Sequence, residues 1–138
     1  MTTLKTDPVE VNANSKIVFD YLTDLSNFIE LIPQDKVSDW KGEKDTCSFK
    51  FLNTAVIQLV LKDHTSPSSI QLVSGEKSPV KFTLDISIEE SKEGCMVGQT
   101  CEANLNPMLK MMVQQPLKNL FSHISHQLQE KFKKNELV

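Results

Sequence analysis

Three histidines, three cysteines and a scatter of carboxylates are the residues of this chain that could hold a metal or move a proton. His123 and His126 stand three apart, which on a helix brings two imidazoles close together, but a zinc site needs three or four converging ligands and that segment offers no third. His64 lies far away in a predicted turn, so solvated histidines and no metal are expected. Cys47, Cys95 and Cys101 are odd in number and lack CxxC spacing. Cys95 and Cys101 fall in one extended segment, about 20 Å apart at ~3.4 Å per residue, too far to bridge. Buried, reduced thiols follow, and with them a cytoplasmic location. Glu89-Glu90 and Glu43 with Asp45 fall in predicted turns, where water keeps a carboxylate ionised and poorly suited to acid–base work. GxSxG, HExxH and a glycine-rich phosphate loop are all missing, and four glycines leave few places for backbone to wrap a phosphate.

Gln99 is the polar residue out of keeping with its neighbours. Cys95, Val97, Cys101, Ala103 and Leu105 share its side of a predicted strand, so a regular strand carries the Gln99 amide into an apolar interior. A buried amide without a partner costs about 1–3 kcal/mol, so either backbone or water satisfies it or it serves as the polar handle of a ligand pocket. A bulge at Gly98 would turn it outward instead.

The element that must close over such a pocket is the stretch from Asn106 to about Lys134. Asn106 is an N-cap candidate and Pro107 stands at the first helical position, where its missing donor does no harm. Leu109, Met112, Val113, Pro116, Leu117, Leu120, Phe121, Ile124 and Leu128 recur at spacings of three and four, one apolar stripe of a long helix, with Lys110, Gln114, Lys118, Ser122 and Ser125 opposite. Met111 falls off the stripe and with Met108 offers an apolar patch for a partner or a second copy. Lys131, Lys133 and Lys134 suit the negative end of the helix dipole. Pro116 removes a hydrogen bond to the Met112 carbonyl and crowds the turn before it, so a kink or two helical segments are expected, with a gap beside Pro116 as the mouth of a cavity.

The rest of the chain reads as the surface under that helix. Val9 and Val11 alternate with polar residues as a first strand. Asn14 or Ser15 then caps a short helix with Ile17, Val18, Tyr21, Leu22 and Leu25 at helical spacing, and a second run, Phe28, Leu31 and Ile32, stops at Pro33. From Lys36 the period changes to two. Val37 to Trp40; Cys47, Phe49 and Phe51; Ile57, Leu59 and Leu61; Ile70 and Leu72; Val80, Phe82, Leu84, Ile86 and Ile88; and Cys95 to Leu105 give six more strands, each with one wet face. A wet face is an antiparallel signature. The fold class is therefore α+β, a curved antiparallel sheet of about seven strands around a long C-terminal helix, with two short helices after strand one. Residues 1–138 read as one domain. A net charge of -3 argues against a nucleic-acid binder, and no apolar run is long enough for stable membrane insertion.

That order of elements, with Ser15-Lys16-Ile17-Val18-Phe19-Asp20-Tyr21-Leu22-Thr23-Asp24, Phe28 to Pro33, and the C-terminal helix, resembles the START-like or helix-grip superfamily of polyketide cyclases, lipid-transfer and ubiquinone-binding proteins. Asn106 to Met112 followed by Gln115-Pro116-Leu117 is similar to a small uncharacterised bacterial subgroup of it. The resemblance implies a cavity between sheet and helix for an apolar small molecule or lipid. The residues expected to border it are Trp40, Phe49, Phe51, Phe82, Gln99, Met112, Pro116 and Leu117. The resemblance brings no catalytic residue and no cofactor. Ionisable residues on inward faces are scarce, Asp63 at a strand end being the one candidate, which favours binding over a cyclase-like reaction; a partner-binding domain with a filled core stays open as a third reading.

Overall fold

Strand one is longer than its valines suggest, and it is broken. In a computed structural model describing residues 2–53 and 55–133, Thr2–Lys5 (β1) and Val9–Val11 (β2) both pair antiparallel with Gly94–Ala103 (β8). Leu4 faces Cys101 while Val9 faces Val97, so the register slips by one residue across Asp7-Pro8. Pro8 has no N–H for the ladder. Thr6 bridges the break: its backbone N–H donates to the Gln99 carbonyl at 3.0 Å, and its Oγ1 accepts from the Gln99 N–H at 3.1 Å. The reading from sequence starts at Val9 and so misses β1, in which Thr2 and Leu4 are buried in alternation with exposed Thr3 and Lys5.

Asn14 caps the first helix, Ser15–Leu22 (α1), its Oδ1 accepting from the Ile17 N–H at 2.9 Å, and the helix buries Val18, Phe19 and Leu22. The second short helix is a 3-10 turn, Leu25–Glu30, begun by the Asp24 carboxylate on the Ser26 N–H. Five further strands follow before β8: Val37–Gly42 (β3), Thr46–Phe51 (β4), Ala55–Thr65 (β5), Ser69–Ser74 (β6) and Phe82–Ser91 (β7). All pairings are antiparallel, in the order β1-β8-β7-β6-β5-β4-β3 with β2 also on β8, eight strands among the described residues. Glu89 and Glu90 belong to β7 and not to a turn, and Glu90 accepts from the Ser15 hydroxyl at 3.1 Å.

Two bulges reset which side chains face inward. In β5 the register shifts between Leu61 and Asp63, so Leu61 faces Leu72 but His64 faces Ile70. The extra residue inverts the alternation. Asp63, expected at the inner face, joins Gln71 and Asp85 on the outer one, and His64 takes the inner position, edge-on to the Phe19 ring at 5.5 Å. In β3 the shift lies between Ser38 and Lys41, where Asp39 adopts a φ of 54°. Trp40 is thereby half-buried at the sheet edge, stacked on Phe49 with ring centroids 6.4 Å apart. Its indole lies so close over Gly42 that a Cβ there would come within 2.5 Å of it.

The last element is the helix Pro107–Lys133 (α2), capped by the Asn106 Oδ1 on the Leu109 N–H at 2.9 Å. Lys134 of the predicted stretch lies outside the described residues. The helix packs on β1, β2 and β8. It runs without interruption through Pro116, so the two-segment form expected from that proline is not adopted. No helix among the described residues is long and apolar enough to cross a membrane.

Candidate ligand-binding cleft

The fully buried residues of α2 all lie in its second half, and of the first half Leu117 packs against the core only in part. The buried ones are Leu120, Phe121, Ile124, Ser125, Leu128 and Phe132. Before Leu120 the stripe is half-buried at best, and Met108, Met111 and Met112 are 72%, 87% and 65% exposed. Met112 is therefore not the core residue its spacing predicts, because a helical period selects a face and cannot supply a surface to cover it. Ser125, expected on the wet side, is buried. The reason is Gln99, whose Nε2 donates to the Phe121 carbonyl at 2.9 Å and to Ser125 Oγ at 2.6 Å. Pairing of β7 with β8 is regular through Gly98, so no bulge turns this amide out. Its Oε1 finds no partner among the described residues.

Where α2 is not packed, a cleft remains. Its larger chamber, about 320 Å³, lies between Phe51, Ile57 and Phe82 of the sheet with Val80 of the β6–β7 turn on one side, and Met112, Val113, Pro116 and Leu117 of the helix on the other. Ser78 is the one hydrogen-bonding side chain on its wall, and that hydroxyl already accepts from the Gln58 N–H at 2.7 Å. A smaller chamber, about 190 Å³, lies on the other side of Pro116 and is bounded by Pro33, Lys36, Asn119, Leu120 and His123. Phe51, Leu52 and Pro116 wall both. The waist thus consists of the end of β4, the hairpin tip and the helical proline.

The tip is strained. Leu52 and Asn53 have φ of 54° and 57°, a left-handed conformation that asparagine tolerates but that costs about 1–2 kcal/mol at Leu52. Leu52 is held in it by its N–H, which donates to the Lys36 carbonyl at 2.8 Å, and its side chain stays 44% exposed at the cleft. Strain kept at a cavity wall is a common mark of a working site.

Of the residues expected around the cavity, Phe51, Phe82, Met112, Pro116 and Leu117 come together on its walls. Trp40 and Phe49 stack at the sheet edge and Gln99 faces the second half of the helix, so these three stand apart from it. Sequence reasoning misses Leu52, Val80 and Val113, and also Lys36 and His123. The Asn53 turn could have pointed to Leu52, but nothing local marks Lys36. His123 is half-buried and not solvated as expected; burial pushes its pKa down, Asp35 opposes this, and Lys36 and His126 add to it. His126 is exposed.

Other chemical groups lie elsewhere. The three cysteines are free and buried, and loss of solvent pushes the Cys47 and Cys101 thiols up to about 12. Among the described residues no group of three or more His, Cys, Asp or Glu could hold a metal. A depression of about 370 Å³ at the β5–β6 hairpin is lined by Asp63, Gln71, Asp85 and Thr100 and also by His64, Ile70 and Ile86, with Gln71 Nε2 donating to Asp85 Oδ1 at 3.0 Å.

No protein-family model matches the chain, and no curated protein matches it in sequence. Solved structures do. XoxI from Bacillus cereus is similar over 99% of both chains, with 13% identity and a TM-score of 0.77. A START superfamily protein from Mycobacterium smegmatis is similar over 96% of this chain and 97% of its own, with 13% identity and a TM-score of 0.65. The di-domain ARO/CYC StfQ from the steffimycin biosynthetic pathway is similar over 99% of this chain and 52% of its own, with 12% identity and a TM-score of 0.74. At such identities the likeness is one of fold, and it agrees with the antiparallel sheet and the long C-terminal helix: this chain has the START-like, helix-grip fold.

Proposed function

We propose that the protein binds or carries an apolar small molecule or lipid in the cleft under the first half of α2, in the cytoplasm. The observation that carries this reading is the larger chamber, whose wall is almost wholly hydrocarbon and whose volume of about 320 Å³ lies within the range of small-molecule sites. An apolar chain entering it leaves water at about 0.8 kcal/mol per buried methylene, so roughly eight methylenes offer about 6 kcal/mol before the entropic cost of binding. Exposed Met112 at the rim is a flexible, polarisable side chain able to fold over whatever enters. A cyclase-like reaction on a polyketide-like substrate draws support from the fold shared with StfQ. The walls give it little to work with: Lys36 and His123 are the ionisable groups, and both lie in the smaller chamber.

Titration with an apolar fluorescent probe tests the carrier reading, together with native mass spectrometry of the purified protein after organic extraction. Wild type should bind the probe saturably, and Leu117→Trp, which fills the chamber, should weaken binding at least tenfold. Probe binding that ignores Leu117→Trp would remove the cleft as the site.

A further inference from the structure

The two chambers differ in chemistry, and the difference runs along one face of α2. Val113, Pro116, Leu120 and His123 follow at spacings of three and four, so the face that closes the apolar chamber ends in an imidazole. Phe51, Leu52 and Pro116 belong to both chambers, which makes them two ends of one cleft. The larger end presents no charge. The smaller end is lined by Lys36, His123 and Asn119, with the exposed Lys36 close enough for its charge to act on the His123 ring, and no carboxylate lines either end. In a chain with 18 acidic residues against 15 basic ones, that gives the cleft a polarity. Lys36 is fixed by its backbone, its N–H donating to the Pro33 carbonyl at 3.0 Å and its carbonyl accepting from Leu52 at 2.8 Å. Asn119 Oδ1 already accepts from Gln115 Nε2 at 2.9 Å, so the group it has left to offer is the Nδ2 donor.

We infer that the cleft takes a single-chain amphipath with an anionic head, its chain between Phe82, Val113 and Leu117 and its head against Lys36, Asn119 and His123. This rests on the carrier reading above. A carboxylate placed there accepts charge-assisted hydrogen bonds, roughly twice as strong as those open to a neutral head of similar size. Burial first, with Lys36 and His126 adding and Asp35 opposing, holds His123 below its ordinary value, and an anion beside it favours the protonated ring.

Decanoate and decan-1-ol, titrated in parallel by displacement of the apolar probe, separate head from tail. Wild type should bind decanoate roughly tenfold or more tightly than the alcohol. Lys36→Gln combined with His123→Gln should abolish that preference by weakening decanoate at least tenfold more than decanol. Asn119→Asp, which sets a carboxylate at the basic end, should weaken decanoate alone. Thermal unfolding of each variant verifies that the fold persists, and the imidazole of His123, followed by NMR, should titrate at higher pH with decanoate bound. Equal affinity of wild type for both ligands, or a preference that survives the double substitution, overturns the anionic head and leaves the carrier reading standing. Binding of neither ligand, with the probe insensitive to Leu117→Trp, overturns both.

Discussion

From Leu120 onward α2 buries Leu120, Phe121, Ile124, Leu128 and Phe132, whereas from Pro107 to Gln114 it buries none, although Met108, Leu109, Met111, Met112 and Val113 are as apolar. The second half is also tied by polar contacts. Gln99 holds Phe121 and Ser125 from the sheet, and Gln129 Nε2 donates to the Glu10 carbonyl at 2.9 Å. Lys131 meets Glu30 at 3.1 Å beside the Tyr21 ring, whose hydroxyl donates to the same carboxylate at 2.6 Å. The first half has its Asn106 cap and the rim of a cleft. One helix therefore serves as core where β1, β2 and β8 meet it and as the wall of a cavity where the β4–β5 tip lies beneath. Equal hydrophobicity does not bring equal burial; the partner surface decides.

The sharpest way to break this comparison is to truncate one apolar residue in each half. Leu128→Ala should cost about 3 kcal/mol by loss of a core side chain and the cavity it leaves, while Met111→Ala should stay within about 0.5 kcal/mol. Denaturant unfolding with unchanged m-values measures both, and similar losses would mean that the first half is packed after all. A smaller effect belongs to Gln99. Gln99→Leu removes two hydrogen bonds but also an acceptor that has no partner among the described residues, so about 1 kcal/mol of stability should go. Probe affinity should not change, and a loss of probe binding would return Gln99 to the ligand site.

The smallest effect concerns the tether at the far end of α2. The Tyr21 hydroxyl first, and Lys131 after it, hold the Glu30 carboxyl below its ordinary value of 4.5. A carboxyl whose pKa is lowered by folding adds stability above its unfolded pKa and loses it as pH falls through the folded one. Tyr21→Phe should therefore destabilise slightly at pH 7, by a few tenths of a kcal/mol because the pair is exposed, and by less at pH 3, where acid drives the carboxyl toward protonation in both states. Thermal unfolding at the two pH values reads the difference; an equal loss at both would assign the effect to Tyr21 packing on Phe132 instead.

What the sequence determined by itself was local. Asn14 and Asn106 cap helices because their side chains reach N–H groups three residues on, and Pro33 ends a helical run through its own ring. Period-two alternation from Cys47 to Ala103 shows which face of each strand is apolar, and Pro116 flagged the place where the cleft lies. Tertiary structure decided whatever depends on pairing across distance. The slips at Asp7-Pro8, Ser38–Lys41 and Leu61–Asp63 arise between two strands and leave no periodic trace in one, so β1, the position of Trp40 and the exchange of Asp63 for His64 were not legible. Met112 and Ser125 changed sides for the same reason: an amphipathic period records which side chains avoid water, while burial is settled by the sheet that meets them, here Gln99 at Ser125 and open space at Met112.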